Sequence, residues 1–230
     1  MKGMASQTSK KGGEKGLTGR AVHIIGQHRF QNELMAFYLK REIGVQCSVS
    51  KPPFTLDTKD TKRSDQSDLI LIECPDKDLE VFLSGLKKGD SNITARHLVA
   101  LFNVDRGQGI EEKAVSLGIN GIFYVEDPVE SLHKGIKAIF DGELWISREA
   151  LIKYVKENRL KDIPAKHDKA LLTSREIEIL AMISTGAKNE DIAEKLFISP
   201  NTVKTHVYNI FKKINVPNRL QAALWAAKNL

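Results

Sequence analysis

The sequence predicts an α/β protein in two parts: a doubly wound, five-stranded parallel sheet, joined by a linker helix to an all-α domain of four helices. Three observations carry this. Short apolar runs alternate with amphipathic stretches from residue 20 to 142, the pattern of a parallel sheet covered on both faces. Residues 172–230 divide into four helical segments with legible starts. The 230 residues suffice for two modest domains with one core each. The expected division is a disordered basic tail over 1–19, the sheet domain over 20–142, a linker with its helix over 143–168 and the helical domain over 169–230.

The tail is rich in Lys, Gly, Ser and Thr and has almost nothing to bury. Strands are expected over 21–25, 45–49, 69–74, 97–102 and 121–125. Between them, helical spacing joins Phe30, Leu34, Phe37 and Tyr38, then Leu79, Phe82, Leu83 and Leu86, then Ile110, Ala114 and Leu117. Residues 55–66 are too polar for a good helix, so the second crossover is expected to be a loop or distorted turn. Asp127-Pro128, with Glu130, opens a helix that buries Leu132, Ile136, Ile139 and Phe140. Gly142 closes that helix, and Ser147 caps a linker helix running to about residue 159.

In the last domain, Thr173 and Glu176 form a capping box, with Leu172 and Ile177 placed as a hydrophobic staple. Gly186 ends this helix. A second begins near Asn189 and buries Ile192, Ala193 and Leu196. Ser199-Pro200 then starts a third, a capping side chain followed by the one helical position where a missing N–H costs nothing. Val203, Val207, Ile210, Phe211 and Ile214 form its inward stripe. That leaves Asn201, Thr202, Lys204, Thr205, Tyr208 and Lys212 outward, donors, acceptors and cations on a face about as wide as a major groove admits. Lys212 and Lys213 reach toward the flanking phosphates. The final helix is capped by Asn218 and carries Leu220, Ala223, Leu224 and Ala227 on one side.

The runs Leu172-Thr173-Ser174-Arg175-Glu176, Asp191-Ile192-Ala193, Ser199-Pro200-Asn201-Thr202-Val203-Lys204-Thr205-His206 and Phe211-Lys212-Lys213-Ile214 resemble the LuxR/FixJ family of helix-turn-helix regulators. The resemblance covers the last quarter of the chain without a gap. It implies base readout by Lys204, Thr205 and Tyr208, phosphate contacts from Asn201, Thr202 and Lys212, and dimerisation through the last helix. The family often has Lys where this chain has Tyr208.

Five strands ahead of such a domain resemble a response-regulator receiver. Phosphoryl transfer there needs an acidic pair after the first strand for Mg2+, an Asp ending the third, a Ser or Thr after the fourth and a Lys after the fifth. Here those positions hold Gly26 and Gln27, then Glu73, then Phe102 and Asn103, then Val125. The domain therefore reads as a degenerate receiver not controlled by phosphorylation. Glu73 stands at the phosphoacceptor position, either as a fixed negative charge or as a polar strand-end residue.

Trp145 and Arg148 lie three residues apart where the linker helix begins, an indole and a guanidinium able to stack on purines, the latter also able to bind phosphate. Ile119 to Tyr124 and Tyr208 to Phe211 extend the similarity to biofilm-matrix regulators of the VpsT/CsgD type. In the VpsT branch a Trp, a Phe, Leu or Met, a Thr or Ser and an Arg at this place bind cyclic di-GMP and stabilise a dimer. This chain has Trp145, Ile146, Ser147 and Arg148, and Ile146 departs by being β-branched. A dimer formed without ligand, governed by concentration or a protein partner, is the alternative.

The 35 Lys and Arg against 29 Asp and Glu give +6, a balance that favours a polyanionic partner, here double-stranded DNA. No apolar run approaches the roughly 20 residues that cross a bilayer, and no signal core follows the N-terminus, so a cytoplasmic protein without membrane contact is expected. Cys47 and Cys74 have no metal-type spacing and read as small apolar residues. No phosphate loop, HExxH or nucleophile elbow is present, and Gly107-Gln108-Gly109 lacks the rest of a dinucleotide fingerprint. The reading is a non-enzyme with no required cofactor.

Overall fold

The structure is a computed structural model that describes residues 17, 19–52, 68–75, 79–86, 93–157 and 172–230. Most of the expected tail, the crossover stretch 55–66 and the end of the linker fall outside them. In chain order the sheet domain contains β1 (Ala21–Ile25), α1 (Arg29–Ile43), β2 (Gln46–Ser50), β3 (Leu69–Glu73), α2 (Leu79–Gly85), α3 (Ile93–Arg96), β4 (Leu98–Val104), α4 (Glu111–Leu117), β5 (Gly121–Tyr124) and α5 (Val129–Phe140). The linker helix α6 spans Arg148–Glu157. Then follow α7 (Ser174–Ser184), α8 (Asn189–Leu196), α9 (Pro200–Lys213) and α10 (Arg219–Asn229).

All strand pairs are parallel, in the order β2-β1-β3-β4-β5. Alternation along each strand divides the core between two faces. Val22, Ile24, Leu69 and Leu71 pack with Leu39 and Ile43 of α1 and with Ile136, Ile139 and Phe140 of α5. Ile25, Ile70 and Ile72 pack on the other face with Leu83, Ala114 and Leu117. The β-sheet thus ends on one edge in the β1–α1 turn and the ends of β3, β4 and β5, which positions Glu73 among them.

Three expectations are corrected. The Phe30, Leu34 and Phe37 face of α1 points outward, with exposures of 74, 53 and 66%. Leu39 and Ile43, seated on the sheet, set the phase of the helix and bring Asn32 inward instead. Second, Asp127 does not cap α5; its carboxylate accepts from Tyr124 N at 3.0 Å and from Arg106 Nη2 at 2.6 Å. Third, Trp145 is not a free linker residue. Its N–H donates to Asn120 O and its carbonyl accepts from Ile122 N, both at 2.8 Å, so one residue of linker extends the sheet beyond β5.

The helical domain closes over Ile179, Ile183, Ile192, Val203, Val207, Ile210 and Trp225. On α10 the inward residues are Ala222, Trp225 and Ala226, leaving Leu220, Ala223, Leu224 and Ala227 outside that row.

Candidate nucleic-acid interface

The recognition candidate α9 starts as its residues dictate. Ser199 Oγ accepts from Thr202 N at 3.0 Å, Pro200 occupies the first turn, and Val203, Val207 and Ile210 lie buried beneath. Asn201, Thr202, Thr205 and Lys212 are exposed, and Tyr208 is half-buried. Thr205 Oγ1 donates to Asn201 O at 3.2 Å, and Lys212 Nζ sits 4.2 Å from the centre of the Tyr208 ring. One helix face therefore presents hydroxyls, an amide, a phenol and an ammonium, the groups that contact base edges and phosphate oxygens.

Lys204 is half-buried on the edge of that face. Its Nζ lies 2.6 Å from Asp141 Oδ1, at the end of α5 in the sheet domain. Around it, Asn189 Nδ2 donates to Asp141 O, Lys188 Nζ stands 3.5 Å from Glu143, and Gln221 Nε2 donates to Val115 O at 3.1 Å. The expected base reader is thus engaged by the neighbouring domain rather than free. The tie is a partly exposed ion pair of the kind worth about 0–1 kcal/mol, and another anion can displace it.

Lys213 requires a larger revision. Its Nζ lies 2.7 Å from Glu176 Oε2, and Glu176 is buried while also accepting from Thr173 N at 2.8 Å in the capping box. Burial alone raises the pKa of that carboxyl, but the Lys213 and Thr173 hydrogen bonds outweigh it and hold Glu176 below its ordinary range. Lys213 is a structural counter-ion in this arrangement, not an open phosphate contact.

At the receiver corner, Glu73 does more than end a strand. Its carboxylate accepts from Gln27 N at 2.6 Å, His28 Nδ1 at 2.6 Å and Asn103 Nδ2 at 3.2 Å. Burial pushes its pKa up, yet the bonds from His28, Gln27 and Asn103 prevail and leave it below the ordinary value of 4.5. A Cβ at Gly26 would stand 2.3 Å from Glu73 Oε2 and 2.5 Å from Asn32 Nδ2. The residues present do not fit a magnesium ion: the first-strand position has no room for a carboxylate, and the Glu73 oxygens are taken by donors. Val125, where a Lys would be needed, is exposed.

In the linker, Ser147 Oγ accepts from Ala150 N at 3.3 Å, capping α6, and Arg148 is exposed. Trp145 stacks on Phe123 with ring centres 6.3 Å apart, and its indole covers Gly135, where a Cβ would lie 2.8 Å from Cδ2. Ile146 packs against the far-side core, so the four linker positions do not converge on one surface. Burial pushes the Cys47 thiol up to about 11. Among the described residues no cluster of His, Cys, Asp or Glu forms a metal site, and no helix is long and apolar enough to cross a membrane.

Sequence reasoning missed Asp141 and His28, and it placed Asn103 at the end of the fourth strand without its bond to Glu73. Asp141 looked only like the end of a helix before Gly142, and no local signal tied it to a lysine 63 residues away. The left-handed backbone at Asn103, φ 55°, was equally invisible.

Residues 170–226 match the family described as bacterial regulatory proteins, luxR family. The CsgBAC operon transcriptional regulatory protein of Escherichia coli (strain K12) is 31% identical over 212 residues, covering 92% of this chain and 95% of that protein. The probable csgAB operon transcriptional regulatory protein of Salmonella typhimurium is 46% identical over 112 residues, 49% of this chain and about half, 51%, of the Salmonella protein. Among solved structures, the regulatory domain of the master biofilm regulator CsgD aligns over 60% of this chain and 99% of that one, with 15% identity and a TM-score of 0.48.

Proposed function

Because the chain belongs to the luxR-type regulators, in the family of the CsgBAC operon transcriptional regulatory protein, and is a transcriptional regulator with receiver-like and DNA-binding domains, we propose that it reads a specific DNA duplex through the outer face of α9. It does so as a homodimer, without receiver phosphorylation, on genes for biofilm matrix. The observation that carries this reading is the exposed row Asn201, Thr202 and Thr205 above a fully buried seam, with Tyr208 and Lys212 beyond it. Thr205 and Tyr208 read base edges, Asn201, Thr202 and Lys212 hold the backbone, and Lys204 joins the readout once DNA displaces Asp141. Glu73, already saturated with donors, supports control by something other than phosphoryl transfer.

Cyclic di-GMP at the start of the linker helix, held by Arg148 with Ser147 and meeting Trp145 and Ile146 only if they leave their present packing, is the proposed control. A dinucleotide between two linker helices would align two DNA-binding domains on adjacent half-sites and stabilise the competent dimer by mass action. The exposed Arg148 guanidinium supports this. The Trp145 indole, already stacked on Phe123, favours the second reading, a dimer formed without ligand. Calorimetry with cyclic di-GMP on the full chain and on Arg148→Ala separates them. Heat abolished by the substitution supports the first, and no heat with either protein supports the second.

A further inference from the structure

We infer that Phe197, at the turn between α8 and α9, is a further DNA-contacting residue, its ring packed on the deoxyribose face of the strand that borders the groove α9 enters. This rests on the duplex-binding reading above and adds an apolar anchor to its polar contacts. Phe197 is 95% exposed, more than any other large apolar side chain among the described residues. A single exposed apolar side chain needs no explanation, but the backbone beneath this one does. Its φ of 55° and ψ of 43° are left-handed, a conformation in which a Cβ crowds the carbonyl oxygen that follows. The other helix ends that close in this way carry residues suited to it: Gly44 after α1, Gly118 after α4, Gly142 after α5, Gly186 after α7 and Asn215 after α9. By that pattern α8 calls for glycine. A bulky residue kept where it strains the chain, with its side chain in solvent, points to a contact that the side chain makes.

The turn is built to hold that ring still. Phe197 N donates to Glu194 O at 3.3 Å and Ile198 N to Ala193 O at 3.0 Å, which closes α8, while Arg175 Nη2 donates to Leu196 O at 2.7 Å. Two residues after Phe197, Ser199 Oγ caps α9. A ring fixed before binding loses little freedom in the complex. Its position selects the partner. α9 has 14 residues, a length of about 21 Å, whereas a major groove is about 12 Å wide. A straight helix that seats Thr205 in the groove therefore brings the segment before Ser199 up to the sugar–phosphate wall. Beside the phosphates that Asn201 and Thr202 hold, that wall offers the apolar edge of a deoxyribose. Glu194 and Lys195, both exposed and of opposite sign, leave this spot without net charge, so the contact there falls to the ring.

Fluorescence anisotropy of the full chain, with a duplex it selects from a random library and with unselected DNA over a series of salt concentrations, tests this. Phe197→Gly is expected to weaken binding about fivefold on both duplexes, because a sugar carries no sequence. The slope of log affinity against log salt should stay at the wild-type value, since the ring displaces no counterion. The melting temperature of Phe197→Gly should rise by about 2 °C as the turn relaxes, which separates a lost contact from a damaged fold. Phe197→Tyr, which keeps the ring, should bind within about twofold of wild type. Phe197→Gly binding like wild type while Thr205→Ala weakens the selected duplex overturns the inference and leaves the DNA-binding reading standing. A loss confined to the selected duplex, a flattened salt slope, or a loss that Phe197→Tyr shares also overturns it. A wild type that retains no duplex refutes both.

Discussion

The corner around Glu73 and the outer face of α9 both present charged side chains, and they differ in what surrounds the charge. The Glu73 side chain is 9% exposed and takes hydrogen bonds from the β1–α1 turn and from the end of β4, so its charge is used up holding those loops together. Lys204 instead pairs with Asp141, whose side chain is 38% exposed. The burial of the paired anion decides whether a lysine is scaffold or is free for a ligand: Lys204 and Lys213 each meet a carboxylate, but Asp141 is 38% exposed and Glu176 only 5%. By that measure Lys213, held by buried Glu176, belongs with Glu73, while Lys212 and Arg148 belong with the open face.

The contrast can be broken at four places. Glu73→Ala should cost about 3 kcal/mol in denaturant unfolding, since Gln27, His28 and Asn103 lose a shared, charged acceptor that is itself buried. Because the Glu73 carboxyl titrates below its ordinary value in the fold, its contribution is full above about pH 4.5 and is lost as pH falls through the folded pKa. Wild type should therefore lose more stability than Glu73→Gln in that acid range, and equal acid sensitivity would show the strut to be idle. Lys204→Ala should cost about 2 kcal/mol on the preferred duplex and little on random DNA. Equal losses on both would return Lys204 to the phosphate class.

Smaller effects sharpen the boundary. Lys213→Ala should lower the unfolding free energy by about 1 kcal/mol, leaving the salt dependence of DNA binding unchanged. A flatter salt slope with unaltered stability would restore Lys213 to the duplex. Asp141→Ala, which frees Lys204, should tighten DNA binding by less than about 1 kcal/mol, measured by fluorescence anisotropy. Weaker binding would mean that Asp141 orients Lys204 instead of competing for it.

Much of this was legible because it is local. Thr173 with Glu176, Ser199 with Thr202 N and Asn218 with Gln221 N all close within three residues, and each cap forms where the sequence places it. The strands lie within two residues of the expected bounds because the apolar runs are short and punctuated. What escaped was non-local. Helical spacing gives α1 a period but not a phase, and the sheet chose Leu39 and Ile43 over Phe30 and Phe37. Asp127 suits a cap, yet Arg106 and Tyr124 N compete for it. The lysines of α9 were correctly placed on their helix, but their anions lie 63 and 37 residues away, in segments whose approach only the folded chain defines.

The central claim concerns which surface meets DNA, and site-specific photocrosslinking tests it most directly. A photoreactive side chain replaces Thr205 on α9 or, in a second protein, Ala227 on α10; both positions are exposed. Each is irradiated with a duplex selected from a random library by the unmodified chain. The account predicts a crosslink from position 205 and none from 227. A crosslink from 227 with none from 205 would contradict it.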